Sequence, residues 1–132
     1  MNKEIKTITW ILRLGVFCTF LGHGSIALGI KESWLPLITS FGISMHTALI
    51  LMPIIGVIDI AVAFLALLYP ARIVLLWAIC WAFMAALSRV VAGESFWEFV
   101  ERTAEFACPL ALLLIYRIPK KRRELFSYRK SE

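Results

Sequence analysis

The sequence predicts an all-α integral membrane protein, a four-helix bundle formed as one domain, and three observations predict it. Four long apolar runs lie between short polar or Pro-containing breaks, each near the roughly 20 residues that a helix needs to cross a hydrocarbon core of about 30 Å. Hydrophobic residues make up 61% of the chain and charged residues 17%, with a mean hydropathy of +0.82. The runs mostly lack the polar stripe of a soluble surface helix, and they are far longer than the roughly 10 alternating residues of a transmembrane strand.

Residues 1–9 form a short charged lead with Lys3 and Lys6, and Trp10 follows at an interfacial position. Span one covers about 8–30. It outruns the 7 to 15 apolar residues of a signal-peptide core, and bulky Ile26 and Leu28 flank Ala27 where a cleavage site would need small residues. Gly22, Ser25 and Gly29 recur at helical spacing and predict a strip for close helix approach. Residues 31–45 are too short and too broken by Pro36 and Gly42 to span, so they lie along the surface, with Trp34 as an interfacial anchor and the segment as a lid over the outer end of the bundle.

Span two covers about 46–69. Pro53 removes a donor to the Leu49 carbonyl and predicts a kink, and Asp59 is the one charge in this span. A tight turn through Pro70 leads to span three, about 71–92. Its Ala78, Ala82 and Ala86 give a close-packing face, which is also a candidate surface for a homo-oligomer. Trp77 and Trp81 lie one turn apart and are read as packing residues. Arg89, near the outer end, either snorkels to headgroups or pairs with a carboxylate inside. Ser95 with Glu98 three residues on matches a capping box that opens span four, about 96–117. The tail, 118–132, reads as a basic amphipathic segment on anionic lipid.

The formal charge is +5, yet seven of the fourteen basic residues fall in the last sixteen positions. A basic end beside a span meets lipid, and no folded soluble module is left to read nucleic acid. Cys18, Cys80 and Cys108 stand singly in apolar runs, read as small buried hydrophobes, which disfavours thiol–disulfide chemistry. No spacing of His, Cys, Asp and Glu supports a metal site. Lys and Arg collect in the lead, at Arg72 and in the tail, so the positive-inside rule puts both termini in the cytoplasm and the chain in a bacterial-type inner membrane.

An ionisable group in hydrocarbon costs on the order of 3 kcal/mol and normally faces a bundle interior. Counted at about 1.5 Å per residue from the inner helix ends, His23, Arg89 and Glu101 lie roughly 22–24 Å up, Glu105 about 18 Å and Asp59 about 15 Å. Together with Arg102 they form the predicted site for a ligand or proton. His23 is read as a ligand or proton carrier, or as a structural histidine bonded across helices. Glu98 and Arg102 make an i, i+4 pair, whereas Glu101 and Glu105 are like charges one turn apart that need outside partners. Arg89 and Arg102 face Asp59, Glu98, Glu101 and Glu105, an acidic excess. Pro109 frees the Glu105 carbonyl and is expected to join the site. A polar cavity opening to the outer face should result.

Leu12-Arg13-Leu14-Gly15 followed by Leu21-Gly22-His23-Gly24, Gly56-Val57-Ile58-Asp59 and an acidic fourth span ending Cys108-Pro109-Leu110 resembles the DoxX-like family of small four-helix membrane proteins, over about residues 10–115. That resemblance implies a four-helix bundle and a membrane subunit that handles a small polar molecule, quinone or proton beside a redox partner protein. It points to His23, Asp59 and the acidic residues of span four as the functional positions. With no cofactor-attachment signature, a non-catalytic subunit or binding protein is expected in preference to an independent enzyme. The competing expectation is a non-enzymatic assembly factor or small transporter whose intramembrane ion pairs are structural.

Overall fold

A computed structural model describes residues 1–128, and its regular structure is helical. Helix α1 (Lys3–Leu28) starts earlier than predicted, because the Asn2 side chain accepts the Ile5 backbone N–H at 2.8 Å and caps it. The charged lead is therefore its first turns. A 3₁₀ turn (Glu32–Trp34) and the short α2 (Leu35–Thr39) follow, then α3 (Met45–Leu68), capped by Ser44 and continuous through Pro53. Helix α4 (Arg72–Val91) ends before Gly93, whose φ of +91° turns the chain towards α5 (Phe96–Val100) and α6 (Thr103–Tyr116). Helices α1, α3 and α4 are long and apolar enough to cross a membrane.

The continuous fourth helix expected over 96–117 is broken at Glu101 and Arg102. At the break the Arg102 side chain takes over a backbone acceptor. Its Nη1 donates to the Glu98 carbonyl at 2.8 Å, the acceptor its backbone N–H would use in an α-helix, and that N–H moves to Phe99 at 3.1 Å. The 14 residues of α6 rise only about 20 Å. The capping box closes halfway: Ser95 Oγ accepts the Trp97 N–H at 3.3 Å, but the Glu98 carboxylate goes to Arg102.

Helix α1 packs along α3 and against α6, and α4 packs on α6, while α3 and α4 touch sparingly. Val16, Phe20, Val62, Ala63, Ala66, Ala78 and Ala82 meet at the centre. The alanine face of α4 is thus consumed inside the bundle and is no surface for a second copy. The predicted small-residue strip is also on the wrong face of α1. Gly22, Ser25 and Gly29 are exposed, and the close α1–α3 approach is made by Gly24 against Gly56. Cys18 and Cys80 are exposed too, not buried as expected, whereas Cys108 is half-buried with its thiol 3.5 Å from the Leu12 carbonyl. Large apolar side chains such as Ile11, Leu14, Ile50, Ile54, Phe64 and Trp77 cover the outside of the bundle, as a bilayer-facing surface requires.

Two arginines hold the end of the bundle where α3 and α6 finish. Arg13, 7% exposed, donates through Nε (2.9 Å) and Nη2 to the Leu67 carbonyl, and its guanidinium lies 4.1 Å from the Trp10 ring. Arg72, 5% exposed, donates to the carbonyls of Tyr116 (2.5 and 3.1 Å), Arg117 (2.8 Å), Glu124 (3.2 Å) and Ser127 (2.9 Å). It closes the open end of α6 and ties down the tail, whose 3₁₀ helix (Arg122–Phe126) docks against the start of α4. Tyr69 adds a 2.8 Å bond to the Phe126 carbonyl. The Lys120 backbone N–H, 2.8 Å from Glu124, holds that carboxyl below the usual range. Residues 129–132 of the predicted basic tail lie outside the described residues.

Candidate functional site

The opposite end of the bundle carries the candidate site, in a space lined by α1, α3, α4 and α6 and by the 31–45 segment. Leu35 anchors this segment by packing on Ala27, Ala48 and Met52. The result is a cavity of about 450 Å³ whose wall includes His23, Asp59, Arg89, Arg102 and Glu105, five of the six predicted residues. A second, more polar cavity of about 460 Å³ lies beside it, shares His23, Arg89, Arg102 and Glu105, and adds Glu94 and Glu101. Trp34 belongs to both walls, as do His23, Arg89, Arg102 and Glu105.

Trp34 is also where the ring contacts converge. His23 meets it edge-on at 5.7 Å, the Lys31 ammonium lies 5.1 Å from its centroid and the Arg89 guanidinium 5.9 Å. His23 Nε2 stands 3.7 Å from Glu105 Oε1, too far for a hydrogen bond but close enough for a coulombic pair when the imidazole is protonated. These two side chains bring α1 and α6 together at the boundary between the chambers.

The expected i, i+4 pair of Glu98 and Arg102 is present, whereas Arg89 takes a partner that was not expected. Arg89 is bound by Glu94 at 3.2 Å, a residue outside the predicted set. Arg102 is bound by Glu98 and Glu101, both at 2.8 Å. Both arginines are thereby matched by glutamates beyond the apolar chamber. Glu101 has a side chain 63% exposed and lines only the outer chamber, so it does not enter the apolar one as expected. Pro109 is buried in packing and lines neither cavity, so it too is no part of the site. That leaves Glu105 and Asp59 as the carboxylates of the apolar chamber without an arginine.

Asp59 is 5% exposed, and its Oδ1 has no hydrogen-bond partner among the described residues. Trp81 is the neighbouring hydrogen-bonding side chain, stacked in turn on outward-facing Trp77 at 5.5 Å. Sequence reasoning missed Trp34, Trp81, Lys31 and Glu94 as members of this constellation. Glu94 was findable, since an acidic residue five positions after Arg89 at a helix end is within reach of its long side chain. No group of three or more metal-ligating side chains is present among the described residues. No protein-family profile matches the chain, and neither do the characterised proteins or solved structures with which it was compared.

Proposed function

We propose that this chain is a four-span membrane protein, with α5 and α6 together completing the fourth span, whose apolar chamber binds a small lipophilic molecule bearing a polar group. One observation carries this reading. A cavity of about 450 Å³, apolar over most of its wall, converges on His23, Glu105 and a buried Asp59 whose Oδ1 has no hydrogen-bond partner among the described residues. Small-molecule sites are concave, largely apolar and about 300–1,000 Å³, with a few polar groups that fix orientation. The gathering of Lys3, Lys6, Arg72 and the basic tail at the other end supports cytoplasmic termini in a bacterial-type inner membrane. It also supports anionic lipid as the neighbour of the tail. The likeness to DoxX-like proteins adds a quinone or proton as occupant and a redox protein as partner, with the chain serving as a binding subunit.

A second reading is a non-enzymatic assembly factor or small transporter, favoured by the local matching of Arg89 and Arg102 with glutamates, as structural ion pairs would be. Purified protein in lipid nanodiscs separates the two. Organic extracts of the wild type should contain a lipophilic small molecule near one equivalent, quinones included, reduced about tenfold in His23→Ala and Glu105→Gln at an unchanged unfolding midpoint. A lowered midpoint with undiminished occupancy in the folded fraction would assign these side chains to structure.

A further inference from the structure

Asp59 Oδ1 is an acceptor that lacks a donor. It sits in the middle of α3, nine-tenths buried, on the wall of the apolar chamber. Leaving such an atom unmatched costs free energy comparable to a lost hydrogen bond, and more for a charged group. Around it, α1 contributes Phe20 and His23 to the chamber wall and α4 contributes Trp81 and Ala85. The two arginines of that wall are already taken by Glu94 and by Glu98 with Glu101. Among the described residues, Trp81 is the one side chain that hydrogen-bonds this carboxyl, so Oδ1 is left open to a donor on a molecule that enters the chamber.

We propose that the chamber takes a lipophilic amine, its ammonium donating to Asp59 Oδ1 and its apolar body lying among Leu51, Met52, Ile55 and Met84. This occupant rests on the chamber's being a binding site, as proposed above, and narrows what fills it. An ammonium supplies donors and a positive charge where Asp59 and Glu105 lack an arginine. The aromatic faces of Phe20, Trp34 and Trp81 on the same wall favour a cation further. With Asp59 and Glu105 ionised, a quinone, the occupant that the DoxX-like resemblance offers, brings only carbonyl acceptors to an oxygen that lacks a donor, and a fatty carboxylate adds a third negative charge. Charge around the mouth has the matching sign, with Glu94, Glu98, Glu101 and Glu105 against Lys31, Arg89 and Arg102.

Three compounds sharing one rigid cage test this: 1-aminoadamantane, 1-adamantanol and 1-adamantanecarboxylate, titrated into full-length protein in nanodiscs against protein-free nanodiscs, with decylubiquinone as a fourth ligand. The amine should bind the wild type at least about tenfold more tightly than the alcohol, and the carboxylate least. Asp59→Asn should reduce amine affinity to that of the alcohol, while Glu4→Gln, exposed in the first turn of α1 at the other end of the bundle, should leave the amine-to-alcohol ratio unchanged. The wild-type ratio needs no variant to fold. Equal affinity for amine and alcohol, or an amine affinity indifferent to Asp59→Asn in folded protein, overturns the proposal. Saturable binding of decylubiquinone without the amine overturns the amine and leaves a binding chamber. Absence of binding by all four overturns both.

Discussion

Arg72→Ala is expected to cost about 4 kcal/mol of stability and to release the C-terminal segment. The guanidinium is 5% exposed and serves four carbonyls, those of Tyr116, Arg117, Glu124 and Ser127. Truncation leaves the end of α6 without its donors, and a buried polar group stripped of its partner costs about 1–3 kcal/mol. It also removes the positive charge facing the C-terminal end of α6, where the helix dipole favours a cation. Arg117 adds a local burden, since its φ of +68° is one that residues with side chains rarely adopt, and its carbonyl is held by Arg72 Nε at 2.8 Å. Arg72→Lys should recover only part of the loss, because an ammonium cannot reproduce a planar fork that reaches several acceptors at once. Two measurements check this: the unfolding midpoint in detergent, and the rate of tryptic cleavage at Lys120, Lys121, Arg122 and Arg123. Exposed Lys120→Ala sets the baseline, within about 0.5 kcal/mol of wild type. Wild-type stability and wild-type protection of the tail in Arg72→Ala would remove the latch.

Arg13 and Arg102 show what was legible in the sequence and what was not. Apolar run length located α1, α3 and α4 to within a few residues, because hydropathy over some 20 positions averages out local detail. A single ionisable group inside such a run demands a partner, and that argument drew His23, Asp59, Arg89, Arg102 and Glu105 to one chamber wall. Applied to Arg13, it would have asked which carbonyls an arginine near a helix end could reach, and α3 offers Leu67. Partner choice was less legible. Glu98, Glu101 and Glu105 all lie within reach of Arg102 along a helix, and the outcome depends on a break at Glu101 and Arg102 that no Gly or Pro announces. The close-approach face of α1 was missed for a related reason. Gly22, Ser25 and Gly29 have helical spacing, and so do neighbouring positions, so which stripe turns inward is decided by the partner helix, where Gly56 waits for Gly24.

That crossing yields the other large effect. Gly56→Ala is expected to destabilise the bundle by about 3 kcal/mol or more, whereas Gly22→Ala should be neutral or stabilising by up to about 1 kcal/mol. A Cβ on Gly56 would stand 2.7 Å from the Gly24 carbonyl oxygen and 2.8 Å from the Leu28 backbone nitrogen. A Cβ on Gly24 would stand 2.8 Å from the Gly56 oxygen. These neighbours are main-chain atoms inside helices, so they yield only if α1 and α3 separate. Around Gly22 nothing lies within 4 Å, and there the methyl gains helix propensity at no steric cost. Separation would act on the chamber too, because Gly24 adjoins His23 and Gly56 lies one turn from Asp59. Aminoadamantane affinity should therefore fall in Gly56→Ala and hold in Gly22→Ala. The pair Gly24→Ala with Gly56→Ala gives the sharpest check, read from unfolding midpoints. Once one methyl has parted the helices the second meets a gap, so the double variant should lose clearly less than the sum of the singles. Strict additivity would mean that the two glycines are felt separately and that the backbones do not touch.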